Sequence, residues 1–250
     1  IFNNYYYRAI HEEVKEQLSN LGYEMETLWS HPNDQAQSKD PTFMESLQVY
    51  SGMVFISSGH GHPAYNFAIS NHIPYIRFTC SRGLPWTVYT DYNKAYRLGY
   101  QELAEAGAKF ATVIFLSEQH NTYEKRKADI LDAVSDDLIH SDFYGIEFGQ
   151  NLEAEGFNLI LDLAARNKLS EHIFVTNDQI AKGASRALLT LQAKGQFKKL
   201  TLVVIASKEQ ILPLGLPVTY VTFEGREEAR LGVQILAAQL KGELPEIPYA

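Results

Sequence analysis

One cysteine, Cys80, in 250 residues rules out an internal disulfide. It fits a reducing compartment, so a cytoplasmic location is expected, although many exported bacterial proteins also lack disulfides. Long apolar runs are equally scarce: none approaches the roughly 18 residues of a membrane span. Basic residues are outnumbered, 22 against 30 acidic, giving a formal net charge of −8. They are also scattered, so the chain carries no electrostatic footprint for nucleic acid. No G-x-S-x-G, Walker or G-x-G-x-x-G pattern occurs, and Cys80 has no partner motif, so neither catalysis nor a cofactor is expected. His60-Gly61-His62 lacks a placed carboxylate partner and predicts no metal site.

What the chain does contain is a regular alternation of short apolar runs and helical spacing. Tyr6, Ile10, Val14, Leu18 and Leu21 recur on one helical face, and Gly22 follows in the position of a helix-ending glycine. The alternating residues 23–29 predict a strand with one polar face, and a Pro/Asn/Asp/Ser-rich loop runs on to Pro41. Strands are expected at 52–56, 73–78 and 88–91, with helical stretches at 43–49 and after the Ser57-Ser58-Gly59 turn. A second series begins after Asp91: helices at 95–106, 123–134, 153–166 and 179–191, and strands at 111–116, 142–148, 173–176, 201–205 and 218–223. A last helix is expected over 226–241, ending at Gly242 and followed by a tail. Alternation with short connections predicts α/β architecture, parallel sheets flanked by helices. The number of strands and the interruption near Asp91 predict two similar lobes.

One stretch organises the site. Ile173-Phe174-Val175-Thr176-Asn177-Asp178-Gln179 is a strand that delivers two polar side chains to the mouth of a helix. In an open parallel sheet ligands bind outside the carboxyl ends of strands. Asp178 is therefore a ligand contact, or it does no more than cap its helix.

With these elements placed, the chain resembles the effector-binding core of the LacI/GalR family of bacterial transcription regulators, which shares its fold with type I periplasmic sugar-binding proteins. The residues that carry the resemblance are Asn3-Asn4-Tyr5-Tyr6-Tyr7 with Ala9-Ile10, Leu21-Gly22-Tyr23, the strand from Ser51 to Ser58, Ile73-Pro74, and Asp91-Tyr92-Asn93 with Leu98-Gly99. Asn177-Asp178-Gln179-Ile180-Ala181-Lys182-Gly183 is similar to the family's most recognisable signature, and Leu231-Gly232 to its closing helix. The resemblance implies two flavodoxin-like lobes joined by three crossover strands: residues 1–89 with 223–243, and 90–222 with 244–250. It implies a small effector, a sugar or sugar derivative, held between the lobes, a homodimer, and DNA contact through an N-terminal helix-turn-helix domain. Such a domain would precede Ile1, and the abrupt opening on a helix is read the same way. A periplasmic solute-binding protein of a sugar transporter is the alternative.

The residues expected to bind the ligand follow from the same comparison. Arg126 matches the arginine of the helix after the first crossover, a forked donor suited to hydroxyls or a carboxylate, or else it is a solvated helix arginine. Asn177 and Asp178 stand at the signature, Ser57 and Thr79 at strand ends, and His120 and Thr122 on the loop before Arg126. Tyr6 is the stacking candidate among three neighbouring tyrosines. Phe223 and Glu224 follow the last strand, where Glu224 accepts a hydroxyl or caps the final helix. The family's acidic strand-end motif is replaced here by Ile205-Ala206-Ser207-Lys208, leaving Ser207 where a carboxylate commonly meets the sugar.

Overall fold

A computed structural model describes residues 5–28, 41–56, 62–79, 85–117, 123–134, 139–147, 151–197, 199–211 and 213–243. In chain order the elements are α1 (Tyr5–Asn20), α2 (Pro41–Ser46), β1 (Met53–Ile56), α3 (Pro63–Ser70), β2 (Tyr75–Thr79), β3 (Thr87–Tyr89), α4 (Tyr92–Glu105), β4 (Phe110–Ser117), α5 (Tyr123–Ala133), β5 (His140–Glu147), α6 (Leu152–Ala165), β6 (His172–Val175), α7 (Asp178–Ala193), β7 (Thr201–Ser207), β8 (Val218–Phe223) and α8 (Gly225–Leu240). They form an α/β fold of parallel sheets flanked by helices. Two compact units result, Ile1–Thr90 with Glu224–Ala250, and Asp91–Phe223.

In the first unit the strand order is β1-β2-β3, all parallel, with Phe55 opposite Arg77 and Phe78 opposite Val88. The i, i+4 spacing of α1 buries Tyr6, Ile10, Val14 and Leu18 on one stripe. The helix stops at Gly22, whose φ of +83° only glycine adopts cheaply, while Tyr23 N–H closes the turn on the Leu18 carbonyl at 2.9 Å. Residues 23–28 alternate between half-buried and exposed as expected, yet they form no strand. This corrects the sequence-based expectation: a period of two describes which side faces in, whereas a strand also needs a backbone ladder, and here the anchoring is by side chains. His11 and Thr27 lie 2.9 Å apart, and Tyr50 donates to Glu26.

Polar groups lie deep in this unit. Glu13 on α1 is 2% exposed and accepts from Arg226 at 2.9 Å, Arg230 at 2.7 Å and Gln17 at 2.9 Å. Burial pushes its carboxyl up, but the three donors outweigh that and hold it below the usual glutamate value. Arg77, inside β2, is 1% exposed, with its guanidinium 4.3 Å from the centroid of the Tyr65 ring. Tyr65, Tyr75 and Phe55 pack edge-on against one another, with ring centroids 5.3–6.2 Å apart.

The second unit is a parallel sheet of order β5-β4-β6-β7-β8 with an apolar core on each face. Ile173, Val175, Leu202 and Val204 meet α7 residues such as Ile180, Ala184 and Leu188 on one side. Phe174, Val203, Ile205, Val113 and Phe115 meet Tyr96, Tyr100 and Leu103 of α4 on the other. Strands buried on both faces read as continuous apolar runs, the pattern of β6 and β7.

Glycines set how closely the layers approach. A Cβ on Gly99 of α4 would overlap the Phe174 ring, and one on Gly232 of α8 would overlap the Phe78 ring. A Cβ on Gly183 of α7 would collide with the Glu153 carbonyl oxygen, and one on Gly156 of α6 with that of Ile180. Gly99, Gly232 and the last residue of the 177–183 signature are therefore packing positions, whereas Leu98 and Leu231 are exposed.

Candidate functional site

The carboxyl end of the second sheet is built around α7. Asn177 stands in extended backbone (φ −145°, ψ 131°) and its Oδ1 accepts from the N–H groups of Gln179 and Ile180, both at 3.0 Å. Capping thus falls on Asn177. The Asn177 oxygen is committed twice, which leaves its amide N–H groups as the part of the side chain that can donate.

Asp178 is the first residue of α7, and its Oδ2 is buried with no hydrogen-bond partner. Burial raises its carboxyl above the ordinary aspartate value, against the pull of the backbone amides of Gln179 and Asp178 itself. Tyr220 on β8 feels the same environment: burial first, then the Asp178 carboxylate, push its phenol up. A carboxylate oxygen removed from water without a partner costs stability, so it suits a hydrogen-bond donor brought by a ligand or water.

Arg126 projects from α5, and its Nη1 donates to Tyr96 Oη at 3.0 Å. Its guanidinium lies 5.7 Å from the centroid of the Tyr92 ring. Tyr92 and Tyr96 are one turn apart on α4 with rings 6.0 Å apart, and Tyr92 meets Phe223 of β8 at 6.0 Å. The arginine is therefore oriented by α4 and is not a solvated helix residue. Tyr92 and Tyr96 were not singled out from sequence. Their spacing of four, on the face that also carries Tyr100, is the signal that could have found them.

Ser207 ends β7, is 3% exposed and donates to Glu209. The carboxylate absent from position 207 is thus present two residues on, in the 3-10 turn Lys208–Gln210. A fixed offset along the sequence missed it because the turn folds it back onto the serine.

In the first unit, Tyr6 directs its hydroxyl inward. It lies 3.1 Å from Thr90 Oγ1 and donates to Glu228 Oε2, while Thr90 donates to Glu228 Oε1 at 3.0 Å. Thr79, half-buried, ends β2 opposite Tyr89 of β3. Glu224 occupies the N-cap position of α8 but makes no side-chain cap bond. Ser57, His120 and Thr122 lie outside the described residues. Thr90 and Glu228 are further polar residues of this region that sequence reasoning did not name.

Two cavities open in the second unit away from these residues. One of about 340 Å³ lies between β5 and α6, lined by Glu147, Glu155, Asn158 and Asp162 among others. The other, about 430 Å³, lies at the amino ends of β6 and β7 beside Glu171, His172, Gln192 and Lys199. The first is acidic but holds too few convergent donors for a sugar, and the second is at the wrong end of the sheet by the open-sheet rule. Among the described residues no group of three or more His, Cys, Asp or Glu could hold a metal ion, and no helix is long and apolar enough to cross a membrane.

Solved structures of the same fold are numerous. A LacI family transcriptional regulator from Bifidobacterium animalis aligns over 97% of this chain and 90% of its own at 17% identity, with a TM-score of 0.75. The transcription regulator CcpA of Lactococcus lactis aligns over 99% and 90% at 18% identity and a TM-score of 0.73. A carbohydrate transporter solute binding protein from Agrobacterium radiobacter, in complex with D-arabinose, aligns over 98% and 87% at 18% identity and 0.69. At these identities the likeness establishes the type I periplasmic-binding-protein-like fold. No protein-family model and no curated protein matches the sequence.

Proposed function

We propose that the chain is the ligand-sensing module of a bacterial transcription regulator and binds a sugar or sugar derivative. The observation that carries the reading is the equipment at the carboxyl end of the second sheet. Arg126 is oriented by Tyr96 and Tyr92, and Asp178 keeps a buried oxygen without a partner. A forked donor, an acceptor and aromatic faces are what polyhydroxylated ligands need. Phe223, Asn177, Ser207 with Glu209, Thr79, Glu224 and Tyr6 complete the proposed set, with Ser57, His120 and Thr122 from outside the described residues.

In this reading the effector binds one conformation of the chain better than another and shifts their populations by that difference in affinity. A homodimer would carry the shift to DNA through N-terminal helix-turn-helix domains. Fold likeness to regulators supports it, and the chain itself is not asked to touch DNA, in keeping with its net charge of −8. The solute-binding reading is favoured by the D-arabinose complex and by the glucose-galactose binding protein from Geobacillus stearothermophilus of the same fold. A non-enzymatic role is part of this reading, supported by fold likeness to regulators and solute-binding proteins.

The test is a thermal-shift panel of D-arabinose, D-glucose, D-galactose and their phosphorylated and acidic derivatives, followed by calorimetry on any that raises the transition. Arg126→Ala and Asp178→Ala should each weaken the responding ligand by tenfold or more while the protein stays folded. Unchanged affinity in both would displace the site. A regulator and a transporter component are then told apart by whether the responding ligand alters operator binding by the full-length protein.

A further inference from the structure

The chain passes between its two units at residues 90–91 and 223–224, in each case straight from a strand of one unit into the first turn of a helix of the other. Both passages are tied down on each side. On the first unit's side, Thr90 is 7% exposed and held by Tyr6 and Glu228, whose carboxylate accepts from both hydroxyls. The same Tyr6 lies against the returning chain: a Cβ on Gly225 would come within 2.9 Å of its ring carbon Cδ2 and 3.1 Å of its carbonyl oxygen. One tyrosine therefore holds the outgoing strand end through its hydroxyl and the incoming helix start through its ring and backbone. On the second unit's side, Asp91 caps α4 by accepting from Lys94 N–H at 2.9 Å, and the Tyr92 ring meets Phe223 at 6.0 Å.

From this we infer that Tyr6 is a pin that fixes both passages of the chain, the end of β3 and the start of α8, to the first unit. The role requires the hydroxyl as well as the ring, because removing the hydroxyl breaks the Tyr6–Glu228 hydrogen bond and leaves that carboxylate held, of the two hydroxyls, by Thr90 alone. It also explains why position 225 is glycine at the start of a helix, where a side chain would normally be favoured: the residue gives room to Tyr6. The inference holds whatever the chain binds.

Hydrogen–deuterium exchange on the whole chain tests it. In Tyr6→Phe, which keeps the ring against Gly225, peptides spanning 87–95 and 221–229 should exchange at least tenfold faster, including the Lys94, Ala95 and Glu228 amides bonded across the first helical turns. Peptides from β4 and β7 should be unchanged. Thr90→Val, similar in shape but without the hydroxyl, should reproduce the effect and carries the measurement if Tyr6→Phe does not fold. Unaltered exchange at the passages in a folded variant overturns the pin. So does uniform acceleration across the chain, which would make these contacts ordinary packing.

Discussion

The two units use one device and two kinds of core. In each, a helical glycine preceded by leucine lets a strand phenylalanine approach the helix backbone, Gly99 with Phe174 in one and Gly232 with Phe78 in the other. Around that shared contact the second unit buries apolar side chains on both sheet faces, while the first buries Glu13 under two arginines and Arg77 against tyrosine. Apolar burial responds weakly to pH and salt, whereas buried charge responds to both. The difference teaches that the units share a fold but not a source of stability.

The largest effect should come from Gly183→Ala, where the added methyl meets the Glu153 backbone, which no rotamer change can relieve. We expect a loss of roughly 3 kcal/mol from overpacking, read by denaturant unfolding of the second unit. Gly99→Ala and Gly232→Ala press on a phenylalanine ring that can shift, so each should lose roughly 1–3 kcal/mol. Both tryptophans, Trp29 and Trp86, fall within the first unit's sequence, so their fluorescence reports that unit while circular dichroism reports both. Gly232→Ala should move the fluorescence transition and Gly99→Ala should not. Equal movement by both would mean that the units unfold as one.

Glu13→Gln should cost roughly 2 kcal/mol, less than a fully enclosed pair because Arg226 and Arg230 keep contact with water. The Glu13 carboxyl is held below its ordinary value. Its contribution is therefore present above the ordinary glutamate range and is lost as pH falls through the lowered value. Asp178 has the opposite sign. Its carboxyl is raised, so the stability linked to it is complete below the ordinary aspartate range and is lost as pH rises through the raised value. Asp178→Asn should remove that loss and gain about 1 kcal/mol at neutral pH. Acid titration followed by fluorescence and by dichroism should thus weaken the first unit while leaving the second intact, and coincident acid transitions would erase the contrast.

Most of the fold was legible in the sequence because parallel α/β units write their periods plainly. The α1 stripe, the continuous runs of β6 and β7 and the glycine stops at 22 and 242 all lie where the pattern put them. Residues 23–28 were misread because alternation does not reveal whether a neighbouring strand is in register to pair. At the site, Asn177 and Asp178 could be found but their division of labour could not, since it depends on which oxygen turns toward the helix amides. Glu209, Thr90 and Glu228 were invisible for a related reason: each matters through a partner distant in sequence or folded back by a turn.

The discontinuity of the first unit also bears on the order in which a ribosome delivers the chain. Residues 91–223 emerge as one uninterrupted block and can collapse around α7 with all their layers present. The first unit, though begun earlier, waits for α8 to cover Phe78 and Ile76 and to bring Arg226 and Arg230 to Glu13. During synthesis the younger half of the protein is therefore the first able to finish, and the nascent opening segment stays exposed until the last helix has been translated.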